Sequence, residues 1–158
     1  MTGDERTMLS EFLDHQRATL LWKCEQLDGE ALARRGVPPS TLSLLGIVRH
    51  MAVVEWHWFE RVFLGSDAPC PISLDQDRDA DFNDLDPAGA MKDIELFERQ
   101  CEDSRAIVAA APGLEAEAAR AREPIALRWI LVHMVEEYAR HNGHADLLRE
   151  LIDGAVGE

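Results

Sequence analysis

The chain has 158 residues, 46% of them apolar, and a net charge of −14 from 30 acidic and 16 basic side chains. That length fits one domain, 1–158, with a sizeable core. So acidic a surface is unsuited to replacing counterions on nucleic acid or to docking on anionic lipid. No apolar run could span a bilayer and no charged, then apolar, leader opens the chain, so we expect a cytoplasmic protein with no nucleic-acid or membrane partner.

The pattern predicts four long helices. The first runs from about Asp4 to Leu27, with an apolar stripe at Leu9, Leu13, Leu20, Cys24 and Leu27, and Asp28-Gly29 ends it. Arg34 to Pro39 is a loop, because paired prolines block helix. Ser40 or Thr41 then caps a second helix reaching about Leu64, with Leu44, Ile47, His50 or Met51, Val54, Trp58 and Val62 inward. Gly65 closes it. The stretch from Gly65 to Asp86 is rich in Pro and Asp, and its acidic run from Asp75 reads as a solvated loop. It lacks the ligand order and central Gly of a calcium loop. Asp86-Pro87 is a helix start, Asp at the N-cap and Pro at N1. The third helix runs to about Ala111 and stops at Pro112-Gly113. The fourth begins near Ile125 and ends before Gly154.

The three cysteines are odd in number and form no CxxC, so neither a disulfide framework nor a zinc knuckle is indicated. Cys24 and Cys101 continue apolar stripes and read as core. Cys70, between two prolines, reads as exposed. Together these elements predict an all-α four-helix bundle, a fold that can build metal sites from inward side chains of facing helices.

The fourth helix carries H-M-V-E-E-Y-A-R-H-N-G-H, residues 133 to 144. At about 100° per residue, and with His133 at zero, Glu137 lies near 40°, His141 near 80° and His144 near 20°. Glu136 points away from His141 and is the weaker ligand. Glu137 and His141 stand about 6 Å apart along the axis, which lets both reach one ion. His50 supplies a facing ligand from the second helix. His57 is about 10.5 Å further along and cannot share that ion. His50, Glu137 and His141 make a two-His-one-carboxylate set suited to zinc, iron, nickel or cobalt. The alternative is a set of hydrogen-bonded core histidines with no metal. His15 reads as surface or core edge, and Trp56, Trp58, Trp129 and Tyr138 as packing residues. Arg49 and Arg140 are either steering cations for an anionic substrate or solvated side chains.

The segment L-R-W-I-L-V-H-M-V-E-E-Y-A-R-H-N-G-H-A-D-L-L-R-E, Leu127 to Glu150, resembles the C-terminal signature of the DUF664 group. That group belongs to the DinB-like superfamily of metal-binding four-helix bundles. Pro38 to Phe59 resembles its second helix, and D-A-D-F at Asp79 to Phe82 its loop. The resemblance implies an up-down-down-up bundle, often a homodimer, with a metal triad of one ligand from helix two and two from helix four. The superfamily's usual H-x-x-x-H-R-G-Q is matched here by Glu137-Tyr-Ala-Arg-His141-Asn-Gly-His144. The first ligand is therefore Glu, as in the mycothiol-dependent maleylpyruvate isomerase branch. His144 takes the Gln position and is expected beside the ligands rather than among them, with His133 structural or beside them too.

The resemblance implies a metal-dependent thiol S-transferase or isomerase. A divalent ion, zinc foremost, at His50, Glu137 and His141 would activate a small thiol such as mycothiol against an electrophile. His144 and His57 are the candidates to move a proton. The other readings are a non-catalytic, stress-related metal-binding protein and a metal-dependent hydrolase.

Overall fold

The computed structural model describes residues 3–157. It is all-α, with six α-helices, one π-helical turn and one 3-10 turn among the described residues. Helix α1 spans Glu5–Cys24, started by Asp4, whose carboxylate accepts from the Thr7 N–H. A short α2 follows, Gly29–Ala33. The sequence reading made Asp28 a terminator; instead its side chain caps α2 by accepting from the Ala31 N–H.

Helix α3, Leu44–Glu55, starts later than expected because Ser43, not Ser40 or Thr41, is its N-cap. The Ser43 hydroxyl is fully buried and accepts from the Gly46 N–H at 3.1 Å, a cap worth about 1 kcal/mol. The expected single α-helix to Leu64 is also corrected. From Trp56 to Phe63 the chain winds as a π-helix, and Leu64 donates to the carbonyl five residues back, on Phe59, at 3.1 Å. Gly65, at φ +70°, then ends the rod, in the left-handed region that glycine adopts without strain.

The acidic stretch is not all solvated loop, as the sequence reading had it. Ala80–Asn83 forms a helical turn, α4, with Ala80 and Asp81 buried. Its Phe82 is what draws it inward, since a half-buried aromatic ring needs a partner surface. Gly46 makes room for that ring, because a Cβ there would stand 3.0 Å from Phe82 Cδ1. Asp86 and Pro87 open a 3-10 turn, Pro87–Gly89, that leads into α5, Ala90–Ala110.

Helix α6 spans Leu127–Asp153. It has no side-chain N-cap. The Leu127 and Arg128 N–H groups donate instead to the carbonyls of Ala116 and Leu114, at 2.9 and 3.0 Å. Its buried stripe, Leu127, Ile130, Leu131, Met134, Tyr138, His141, Ala145 and Leu148, follows the three-four spacing of a core-facing helix. Helix α1 packs chiefly on α6, and α3 on α5, around one apolar cluster that includes Leu20, Ile47, Phe97 and Ile130. Cys24 and Cys101 are buried as expected, and Cys70 is half-buried rather than exposed.

A polar knot crosses this core. Arg17 of α1 grips Glu55, the last residue of α3, through Nε at 2.8 Å and a terminal nitrogen at 2.7 Å. The Tyr138 hydroxyl of α6 donates to Glu55 Oε1 at 2.6 Å, and the Cys101 thiol of α5 lies 3.8 Å from the same oxygen. All four residues are buried. Burial alone would lower the Arg17 pKa, but the Glu55 carboxylate more than reverses this and raises it.

Candidate metal centre

The α3–α6 seam brings His50, Glu137 and His141 together, each offering one ligand atom within 4.8 Å of the others. A second such group, His133, Glu136 and Glu137, shares Glu137 and is more exposed. His144 and His57 belong to neither. His144 packs edge-on against His141 with ring centroids 5.3 Å apart. His57 is exposed on the π-helix beside Trp58. His15 is exposed on α1.

His50 is held on two sides by α4. Its Nδ1 lies 2.8 Å from Asp81 Oδ2, and Phe82 stacks on its ring at 4.8 Å. Asp81 is 4% exposed, and in the tautomer that donates Nδ1–H to it, Nε2 carries the free lone pair. A carboxylate that orients an imidazole in this way also raises its basicity toward a cation. Arg49 fixes the α4 turn by donating to the Asp81 and Ala80 carbonyls, at 3.1 and 3.3 Å, while it pairs with Asp93 of α5.

His141 is buried. Burial, with His50, His144 and Arg140 nearby, pushes its imidazole down to about 4, so it is neutral at ordinary pH. Its Nδ1 is buried with no hydrogen-bond partner, and its Nε2 stands 3.8 Å from Glu137 Oε2, beyond hydrogen-bond reach. Glu137 turns its other oxygen, Oε1, toward His133 Nε2 at 3.8 Å and Arg140 at 3.6 Å. Asn142 pins the helix by donating to Gln16 of α1.

Two imidazoles, that of His141 uncharged, and one carboxylate thus converge without hydrogen-bonding one another. A hydrogen-bonded core triad would close those distances below 3.2 Å. The donor set, two imidazoles and a carboxylate, fits a divalent cation of the borderline N/O class. Neither arginine singled out in the sequence is free. Arg49 is spent on α4 and Asp93, and Arg140 on Glu136 and Glu137. A cleft of about 410 Å³ beside α1 is lined by Arg6, Asp14 and Arg105 among others and by none of the three candidate ligands.

Sequence reasoning missed Asp81 and the Arg17–Glu55 pair. Each left a trace: a Phe inside an acidic loop, Arg17 at a stripe position between Leu13 and Leu20, and Glu55 at the end of the apolar run M-A-V-V.

An all-helical scaffold with a His/Glu cluster able to hold a divalent metal defines the class. The chain belongs to the Mycothiol-S-transferase family, whose model matches residues 8–154, and so to the DinB-like superfamily. A crystal structure of a conserved protein from Enterococcus faecalis has the same fold, with a TM-score of 0.70 at 14% identity, over 98% of this chain and 100% of that one. No curated protein matches. Among the described residues no helix is long and apolar enough to cross a membrane.

Proposed function

We propose that the chain is a metal-dependent thiol S-transferase that joins mycothiol, or a thiol like it, to an electrophilic carbon. The observation that carries this reading is the convergence of His50, Glu137 and His141 on one point with His141 uncharged, within a family named for mycothiol S-transfer. Zinc is the ion we expect first. The Glu137-Tyr-Ala-Arg-His141 string resembles that of the DUF664 group and the carboxylate-bearing site of the maleylpyruvate isomerase branch, and that resemblance supports the reading.

A bound divalent ion would supply the positive charge that stabilises a thiolate at neutral pH. The protein's own groups prepare for it. Asp81 keeps the His50 Nε2 lone pair aimed inward. Glu137 contributes one negative charge, with Arg140 beside its other oxygen. His141, too weak a base to protonate, stays a ligand rather than becoming an acid. In the overall reaction the thiol loses its proton to water, its sulfur bonds to the electrophilic carbon, and the leaving group departs with the bonding pair. His144, beside His141, is the nearer of the two proton-transfer candidates.

The test is conjugation of a chromogenic electrophile to mycothiol by the metal-reloaded wild type and by His50→Ala. We expect at least a hundred-fold loss in the variant, and equal rates would refute the reading. Stoichiometric metal with no thiol turnover would favour a non-catalytic metal-binding protein. Hydrolysis of the same electrophile without thiol would favour the hydrolase.

A further inference from the structure

Beside Glu137 the structure assembles aromatic rings from two helices. Trp129 stacks on His133 with planes 15° apart and centroids at 4.9 Å. Trp58 meets His133 at 4.8 Å and Trp129 at 5.3 Å, and His57 meets Trp58 at 5.3 Å. His133 also places Nε2 3.8 Å from Glu137 Oε1, so the rings continue directly from a candidate ligand. Core packing accounts for Trp58, which lies against the apolar cluster, but not for the outer rings. Trp129 is 49% exposed, and His57 lies at the surface.

The chemistry of this shelf selects its ligand. Indole faces carry negative charge density and attract electron-poor rings in offset stacks. The nearest charges to His133 are the Glu136 and Glu137 carboxylates, which also hold Arg140, so an anion is disfavoured there. Trp58 lies at 69° to His133 and 55° to Trp129. Only Trp129 and His133 lie parallel, so it is the open face of the half-exposed Trp129 that would extend a stack, with Trp58 standing across it.

We propose that Trp58, Trp129 and His133 form a stacking subsite for a neutral, planar, electron-poor aromatic electrophile, the second substrate of the transfer. The proposal deepens the thiol-transfer reading and rests on it for the reaction, while binding can be measured without it. The probe is 1,3-dinitrobenzene, which has the ring but no ready leaving group. Its aliphatic and cationic controls are 2-nitropropane and tetramethylammonium, and all three are titrated calorimetrically into the full chain.

We expect dinitrobenzene to bind and the two controls not to. Trp129→Ala should weaken that binding roughly two- to ten-fold, and Trp129→Phe should retain most of it. Trp22→Ala, in a cleft near the other end of α6 with Lys23 and Arg149, should change nothing. His50→Ala should also leave the affinity intact, so a failed metal reading and a failed shelf are told apart. The proposal is overturned if dinitrobenzene does not bind, if either control binds as tightly, or if folded Trp129→Ala binds like wild type. A dimer that dissociates in Trp129→Ala, with no ring binding in either form, would assign the surface to a second copy and overturn it as well.

Discussion

Asp81→Asn asks whether the α4 turn tunes the candidate metal centre or merely covers it. The Asp81 carboxylate lies 2.8 Å from His50 Nδ1 and its side chain is 6% exposed, so no water replaces it without moving the turn. Asparagine can keep an acceptor oxygen toward His50, but it removes the charge and turns the oxygen that accepts from the Phe82 N–H into a donor. Alanine removes both and leaves His50, 25% exposed at its side chain, to water. Partners that orient a ligand in this way are worth roughly ten- to a hundred-fold in metal affinity, which is about 1.4 to 2.7 kcal/mol. We place Asn near ten-fold and Ala near a hundred-fold. Arg49 holds the turn through backbone carbonyls, which neither substitution touches, so the fold should survive. Zinc affinity would be measured against a competing colorimetric chelator, with circular dichroism and a thermal melt to check folding. Folded variants that both bind zinc within two-fold of wild type would refute the argument.

Three further outcomes follow from buried groups. In metal-free protein the His141 value near 4 lies below the 6.5 of an exposed histidine. The unfolded chain therefore gains a proton first as pH falls. The linked stability is complete above pH 6.5 and is lost as pH falls toward 4, by at most about 3 kcal/mol. Urea midpoints across that range should fall less in His141→Gln, and parallel slopes would contradict this. Arg17→Ala, by leaving Glu55 charged and unpaired in the core, should cost about 3–5 kcal/mol in urea unfolding, whereas Tyr138→Phe should cost about 1–2 kcal/mol. A milder effect for Arg17→Ala than for Tyr138→Phe would reverse our ranking. Burial pushes the Cys24 and Cys101 thiols up to about 12. Iodoacetamide near pH 8 should therefore label half-buried Cys70 first in native protein and all three cysteines in denaturant, as read by mass spectrometry. Early labelling of Cys101 would count against the knot around Glu55.

The long helices were legible because their apolar spacing is regular and Asp, Pro and Gly punctuate their ends. The facing of His50 to Glu137 and His141 was legible for the same reason, since helical angle alone orders the histidines on one rod. What the pattern could not carry was any contact made across a loop. Asp81 sits 31 residues from His50 in the chain, in a run whose composition says solvent. Its burial depends on Phe82 finding the gap over Gly46. The Arg17–Glu55 pair was hidden by the opposite error, because charges inside apolar stripes look like interruptions until the partner helix is in place. The π-helix was invisible, since its residues keep a helical composition and change only the turn.

The π-helix begins six residues after His50 and contains His57 and Trp58. Its ring of five residues rather than four holds one more residue than ordinary helix. Losing that one residue would let ordinary helix resume with the chain beyond it still on its former face, because the wider turn had already absorbed it. The same loss from the α-helical part of the rod would rotate everything beyond it by about 100°. Along this one rod, then, length changes have unequal reach: a residue lost from α3 after His50 would turn Trp58 away from Trp129 and His133, and a residue lost from the π-helix would be taken up within it. The wide turn is where the chain can shorten by one codon and leave both the candidate ligands and the surface beyond them in register.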